Sequence, residues 1–154
     1  MINYKSNILE ANRHFKTADH LVYMTFPLVN DNKLMITIIQ NLLSANQMAI
    51  GAILEYEKTQ KTVITLPQNF NSRFALFKTK YAKQYKVPED VLKMIQELTE
   101  TLEEHEQSPI EFARKDKFVI CTEEYRKLKT VDIKLLKQYL TITRKLLAIV
   151  SKIQ

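Results

Sequence analysis

A histidine and a nearby cluster of cations are the residues of this sequence best suited to chemistry. His105 precedes Ser108-Pro109 and the cations Arg114, Lys115 and Lys117. Such a group can bind phosphate or assist proton transfer at an RNA 2′-hydroxyl, because imidazole titrates near neutral pH and Lys and Arg attract phosphates. The alternative is structural: His105 caps the C-terminus of its helix and pairs with a glutamate.

A second candidate surface combines cations with aromatic rings. The segment 58–88 contains seven Lys or Arg and no acid, and Lys78, Lys80 and Lys83 lie among aromatic residues. Cations beside exposed rings are typical of surfaces on which nucleic-acid bases stack. Four of these rings keep helical spacing and are assigned to the core, namely Phe70, Phe74, Phe77 and Tyr81. We therefore expect Tyr85 to be the exposed ring.

Basic and acidic residues are segregated along the rest of the chain. The segment 89–111 has eight acids and one lysine, and from Arg126 onward eight Lys or Arg accompany one acid, Asp132. Either the basic residues form a surface for phosphate backbones, or the acidic helix compensates basic neighbours. For the fourth and last helices we favour compensation. The residues predicted to bind RNA are Arg73, Lys78, Lys80, Lys83, Tyr85, His105, Arg114, Lys115 and Lys117.

Several other chemistries are disfavoured by what the sequence lacks. Gly51 is the only glycine, which excludes the glycine-rich loops of P-loop and dinucleotide-binding proteins. Cys121 is the only cysteine and follows an apolar triplet, so we predict a small buried residue, no disulfide and no structural zinc site. His105 has acids beside it, but no second helix offers a matching Glu-x-x-His, so we expect neither a metal site nor a cofactor.

Composition and periodicity predict an all-α protein with one domain, residues 1–154. The chain is 45% hydrophobic and 26% charged, with only four prolines. Neither a signal peptide nor a membrane-spanning stretch is visible, so a cytoplasmic location is expected and membrane association is not. The predicted architecture is an antiparallel up-down bundle of four long helices with a short helix and a structured loop.

Individual helix boundaries follow from caps, prolines and apolar stripes. The first helix runs from about Asn3 to Thr25, and Pro27 ends or kinks it. The second, from Leu34, is the most buried, and Gly51 within it marks either the close approach of a neighbour or simple tolerance. The remaining boundaries are a third helix capped by Asn69 or Asn71, a fourth opened by Pro88 and closed by Ser108-Pro109, an ordered loop over 110–121, and a last helix capped by Thr130.

The outline of the chain resembles a known family. Its length, its predicted helical bundle and its expected cytosolic setting resemble the HEPN-like domains, small α-helical proteins of prokaryotes that often dimerise and sit beside nucleotidyltransferases. Many are RNA-cleaving toxins. The Arg and His spacing of that family occurs once, as Arg13 followed after six residues by His20, with the polar His14 directly after Arg13, and we interpret it as a chance match in the first helix. The resemblance implies RNA as a target, and a homodimer or a nucleotidyltransferase as a partner.

The catalytic motif of that family is absent where the family carries it. Its ribonucleases have Arg, four to six residues, then His late in the bundle, whereas Leu98, Thr99 and Glu100 stand at the corresponding positions ahead of His105. We therefore predict a non-enzymatic HEPN-like bundle that binds RNA or an RNA-associated protein through its basic segments. The first alternative is a dimerising, metal-independent ribonuclease using Arg13 and His20, or His105. The second is a dimerisation module using the broad apolar face of the second helix.

Overall fold

Six α-helices and a three-stranded sheet follow one another along the chain in a computed structural model that describes residues 3–107, 111–114, 117–121 and 128–153. The helices are α1 (Tyr4–His20), α2 (Phe26–Val29), α3 (Leu34–Thr59), α4 (Phe70–Leu76), α5 (Glu89–Gln107) and α6 (Ile133–Val150). The strands are β1 (Glu111–Arg114), β2 (Lys117–Cys121) and β3 (Leu128–Asp132). Helix dominates, so the predicted all-α class is confirmed.

The first helix passes the proline at which we expected it to end or kink. Asn3 caps α1 in a capping box with Ser6, and a π-helical turn, Leu21–Thr25, joins α1 to α2. Pro27 falls in the first turn of α2, directly after the π-helical turn, and has no N–H to donate to the turn before it. The helix ends instead at Asn30, whose left-handed backbone (φ 53°) terminates helices.

Contacts between helices fix their relative directions around a central α3. The rings of Tyr4 and Tyr56 are 5.3 Å apart, and His14 Nδ1 lies 3.2 Å from Asn41 Oδ1, so α1 and α3 are antiparallel. Asn46 Nδ2 donates to Thr143 Oγ1 at 3.0 Å. The C-termini of α3 and α6 line one cleft, described below, and α3 and α6 therefore run in the same direction.

Helix α5 runs antiparallel to α6. Lys145 Nζ lies 2.5 Å from Asp90 Oδ2, and Tyr139 donates to Glu97 at 2.7 Å. The earlier residue of α5 therefore meets the later residue of α6, as in an antiparallel pair. Buried side chains cover most of α3, and the six successive residues 49–54 are all buried. The broad apolar face offered above for dimerisation thus lies in the core.

Gly51 marks a close approach between α3 and α1. A Cβ built at Gly51 would lie 3.2 Å from Asn7 Nδ2, tighter than ordinary van der Waals contact. Asn7 is buried. Of the two readings of this glycine, the structure favours close approach.

The region predicted as an ordered loop contains strands. β1 pairs antiparallel with β2, and β2 with β3, in the order β1-β2-β3. Val119, Ile120 and Val131 are buried. All three are β-branched, and such residues suit a sheet with one covered face. Thr130 lies in β3 and caps nothing. Asp132 caps α6 instead, accepting the N–H of Leu135 at 2.8 Å.

Two further boundaries agree with the sequence. Asn69 caps α4 by accepting the N–H of Ser72 at 2.8 Å, and Pro88 directly precedes α5. Within the described ranges, no helix is both long and apolar enough to cross a membrane.

Candidate nucleic-acid interface

The structure places the two predicted basic groups at opposite ends of α6. Lys117 pairs with Arg114 in one ladder and with Asp132, the cap of α6, in the other. We call Arg114 and Lys117 the hairpin pair. Lys115 lies outside the described residues. Tyr85 lies beside the C-terminal end of α6. Since α6 has 18 residues and rises by 1.5 Å per residue, about 27 Å separates the two ends.

A cleft of about 620 Å³ opens at the C-terminal end of α6, which we call the basic cleft. Its walls come from the end of α3, the turn at residues 82–86 and the end of α6. The lining residues are Tyr56, Glu57, Gln60, Gln84, Tyr85, Lys86, Ile149, Lys152 and Ile153. Its size and its mixture of apolar and polar walls are those of a binding site.

A buried carboxylate holds one wall of the basic cleft in place. Glu57 is 2% exposed. Its Oε1 accepts hydrogen bonds from Tyr85 OH at 2.5 Å and Gln84 Nε2 at 2.9 Å, and its Oε2 accepts one from Thr62 Oγ1 at 2.8 Å. The Thr62 hydroxyl is also 2.8 Å from Tyr81 OH. Because an unsatisfied buried carboxylate would be costly, these donors tie the turn at 82–86 to α3.

Tyr85 takes part in that network while remaining at the cleft surface. Burial, followed by the hydrogen bond to Glu57, raises the pKa of the Tyr85 phenol well above its ordinary value. The hydroxyl therefore remains protonated and donating at neutral pH. Tyr85 is half-buried and lines the cleft, so its accessible part faces any bound ligand.

The electrostatic balance of the cleft depends on lysines. α3 and α6 both end here, and each helix C-terminus carries about half a negative charge, so with Glu57 the local sum is about −2. Lys58, Lys61, Lys86 and Lys152 lie at the same end and are exposed. No described carboxylate forms an ion pair with any of these four, and their four charges outweigh the negative ones. The cleft consequently favours anions.

The other predicted residues of the aromatic segment have structural partners. Lys80 Nζ donates to the carbonyl of Thr62. Lys78 Nζ lies 4.7 Å from the centre of the Phe74 ring. Arg73 donates to the Pro67 carbonyl at 2.8 Å and lies 3.3 Å from Glu55, so it fastens the loop between α3 and α4. Among the described cations of this segment that were predicted to bind RNA, Lys83 is the one that is exposed and makes no such contact. Arg73 is the least suited to binding RNA because both of its contacts are structural.

A second, shallower cleft near the start of α6 was missed from the sequence. It has a volume of about 540 Å³ and is lined by Tyr23, Ile133, Lys134, Lys137, Gln138 and Thr141. Lys137 Nζ lies 5.2 Å from the centre of the Tyr23 ring. These lysines had been assigned to charge compensation, and the sequence gives no sign that the π-helical turn after α1 places a ring beside them.

Charge compensation accounts for part of α6. Lys145 pairs with Asp90 of the acidic helix, and Arg144 pairs with Asp19 of α1 at 3.2 Å. Among the described residues, no carboxylate pairs with Lys134, Lys137 or Lys152. Asp132 shares a pocket with Lys134, but its Oδ1 is engaged by the N–H of Leu135. Compensation therefore leaves Lys134 and Lys137 of α6, and Lys152 just beyond its end, available.

The histidines considered for catalysis are not gathered into one site. Arg13 Nη2 is 2.6 Å from Glu10 Oε2, and the hydrogen bond from Arg13 lowers the pKa of Glu10. His20 is exposed on α1. His105 is half-buried in the last turn of α5. Within the described part of the chain, no three His, Cys, Asp or Glu side chains converge as metal ligands would.

Comparison of the chain with protein-family models, curated proteins and solved structures finds no match.

Proposed function

We propose that this protein is a non-enzymatic helical domain that binds RNA at the basic cleft. One observation carries the proposal: two lysines without described ion-pair partners, Lys86 and Lys152, line the same cleft as the rings of Tyr56 and Tyr85. Phosphates bind the cations and bases stack on the rings. The Glu57 network organises one wall before the ligand arrives, which lowers the entropic cost of binding.

The residues of the proposal differ in part from those predicted. Tyr85 and Lys80 lie in or beside the Glu57 network, and Lys83 is exposed on the same segment. Lys86 and Lys152 join them, and Arg73 is left out because it is bonded to Pro67 and Glu55. The resemblance to HEPN-like domains and a nucleotidyltransferase partner remain predictions.

Binding of a fluorescently labelled RNA, followed by anisotropy as salt is raised, tests the proposal. The Lys86→Gln/Lys152→Gln variant removes two cations from the cleft, and Lys16→Gln/Lys93→Gln, at exposed positions of α1 and α5, is the matched control. The affinity for a single strand falls by about 0.7 log unit per phosphate contact for each tenfold rise in salt concentration. Extrapolated from about 1 M salt, the loss of two contacts should weaken binding of the cleft variant at about 50 mM salt by about 60-fold. Equal affinity of both variants, or no binding by the wild type, would refute the proposal.

A specific observation favours protein interaction as a second candidate function. Leu28 is 85% exposed and Val29 is 59% exposed on α2, beside Met24 at 57%. Neighbouring exposed apolar side chains mark contact surfaces, and a second copy of the chain is the simplest partner. Light scattering should then give a dimeric mass that Leu28→Asp/Val29→Asp reduces to a monomeric one. A monomeric wild type would remove this candidate.

A further inference from the structure

We propose that a single RNA strand leaves the basic cleft and follows the exposed face of α6 to the N-terminal end of that helix. This inference rests on the proposed RNA binding and assigns that RNA a path, a strandedness and a minimum length. The path is named the α6 stripe and consists of Lys134, Lys137, Thr141, Arg144 and Lys152.

The stripe is continuous along the helix. Lys134, Lys137, Thr141 and Arg144 are spaced by three, four and three residues, so they share one face of α6, and all four are exposed. Lys152 continues beyond the helix end and lines the basic cleft. Lys145 lies on the same face, about 20° from Lys134 in projection along the helix, and is left out of the stripe because it pairs with Asp90. Cations therefore run along α6 between the two predicted basic groups.

Aromatic rings from α1 and from the π-helical turn that follows it alternate with these cations. Lys137 Nζ is 5.2 Å from the centre of the Tyr23 ring, which is 46% exposed. Arg144 Cζ lies 5.3 Å from the centre of the Phe15 ring. With Tyr56 and Tyr85 in the cleft, rings occur at three levels along α6. Rings beside a backbone-tracking row of cations are the arrangement that binds single strands, because only unpaired bases present their faces for stacking.

Arg144 is the weakest cation of the stripe. Its pairing with Asp19, at 3.2 Å, leaves it partly neutralised on the RNA path. Lys134 and Lys137 have no such described partner. The electrostatic gain from the stripe is therefore assigned to these two lysines.

The length of α6 sets the length of RNA required. The helix spans about 27 Å, and a strand stacked as in a duplex advances about 3.4 Å per nucleotide, so about eight nucleotides reach from end to end. A more extended strand needs fewer. A strand of about four stacked nucleotides covers half of the stripe, and one of about 12 covers it fully.

Anisotropy with uridine oligomers of about 4 and about 12 nucleotides tests the path. The Lys134→Gln/Lys137→Gln variant should weaken binding of the long oligomer about 60-fold at 50 mM salt. Chemical-shift mapping on the wild type should show the long oligomer perturbing Lys134 and Lys137 together with Lys86 and Lys152. A duplex of the same length should bind at least tenfold more weakly than the single strand.

The outcomes separate this inference from the function on which it rests. Equal affinity for short and long oligomers, with no effect of Lys134→Gln/Lys137→Gln, overturns the path while RNA binding at the cleft stands. Equal affinity for the duplex overturns the assignment to single strands. Failure of every RNA to bind overturns both, and the circular dichroism of each variant establishes that it is folded.

Discussion

Replacing Glu57 tests whether the buried carboxylate organises the basic cleft. In Glu57→Ala, the hydroxyls of Tyr85 and Thr62 and the amide of Gln84 each lose an acceptor. Hydrogen bonds to charged groups are each worth about 1.5–3 kcal/mol, but removing the carboxylate also removes the cost of burying its charge, which offsets part of this loss. We therefore expect the free energy of unfolding to fall by about 3 kcal/mol.

Glu57→Gln is the matched control, and the geometry predicts a smaller effect. The Gln carbonyl has two lone pairs, enough for Tyr85 OH and Gln84 Nε2, which both donate to Oε1. Its NH₂ takes the place of Oε2 and donates to Thr62 Oγ1, which still accepts from Tyr81 OH at 2.8 Å. The Thr62 hydrogen then turns to the backbone carbonyl of residue 57, 3.2 Å away. Every hydrogen bond is kept and only the charge is lost, so the expected cost is about 1 kcal/mol.

Urea unfolding followed by tyrosine fluorescence measures both costs, since the chain has no tryptophan. RNA affinity of the folded variants is measured in parallel, and Glu57→Ala should bind more weakly than Glu57→Gln because Tyr85 and Gln84 lose their anchor. If Glu57→Ala costs less than about 1 kcal/mol, or if both variants cost the same, the hydrogen-bond account of this wall is wrong.

Three further predictions concern pH, packing and catalysis. Burial raises the pKa of Tyr85 and Tyr139 above the ordinary 10.0, so the stability that these neutral phenols contribute is full below pH 10 and is lost as the pH rises further. Alkaline unfolding titrations should show this loss in the wild type and not in Tyr85→Phe/Tyr139→Phe, and a difference in stability between the two proteins that stays constant above pH 10 would contradict it. Because alanine favours helix more than glycine does, Gly51→Ala should raise the free energy of unfolding by about 1 kcal/mol in an Asn7→Ala background and by less in the wild type, where the new Cβ meets Asn7. Equal effects in both backgrounds would show that the contact with Asn7 is unimportant. Wild-type protein should leave RNA intact in the presence of a chelator, and cleavage that disappears in His20→Ala or His105→Ala would establish the ribonuclease alternative instead.

Periodicity predicted the long helices because their apolar stripes decide their packing. α3 and α6 follow three- and four-residue spacings, and caps or prolines mark the starts of α4 and α5. The strands β1 to β3 are only four or five residues long. Segments of four or five residues are too short for the alternation of apolar and polar residues to distinguish a strand from a loop. Their pairing depends on contacts that cannot be seen in the sequence. Thr130 was mistaken for a cap for the same reason.

The candidate site was only partly predictable. Tyr85 and the lysines near it could be chosen by type, but Lys86 and Lys152 are distant in sequence and meet only because α3 and α6 run in the same direction. Glu57 did leave a sign that was overlooked: with Ile50, Ile53 and Leu54 it continues the buried face of α3, so an acid occupied a core position. An acid at such a position needs donors, and Thr62, Gln84 and Tyr85 supply them from the next segments.

The π-helical turn at Leu21–Thr25 has a consequence for how the length of this chain can change. Ala18, Val22 and Phe26 are buried at steps of four, and each such step overshoots a full α-helical turn by about 40°. The Phe26 N–H bonds to the carbonyl five residues back, and this looser winding returns Phe26 to the core side. Deleting one residue within the turn would restore ordinary α-helix with Phe26 still facing inward. Deleting one within α1 would instead turn Asn7 and Ala11 away from α3 by about 100°. Insertions and deletions among relatives of this chain should therefore accumulate at the turn and avoid the helix before it.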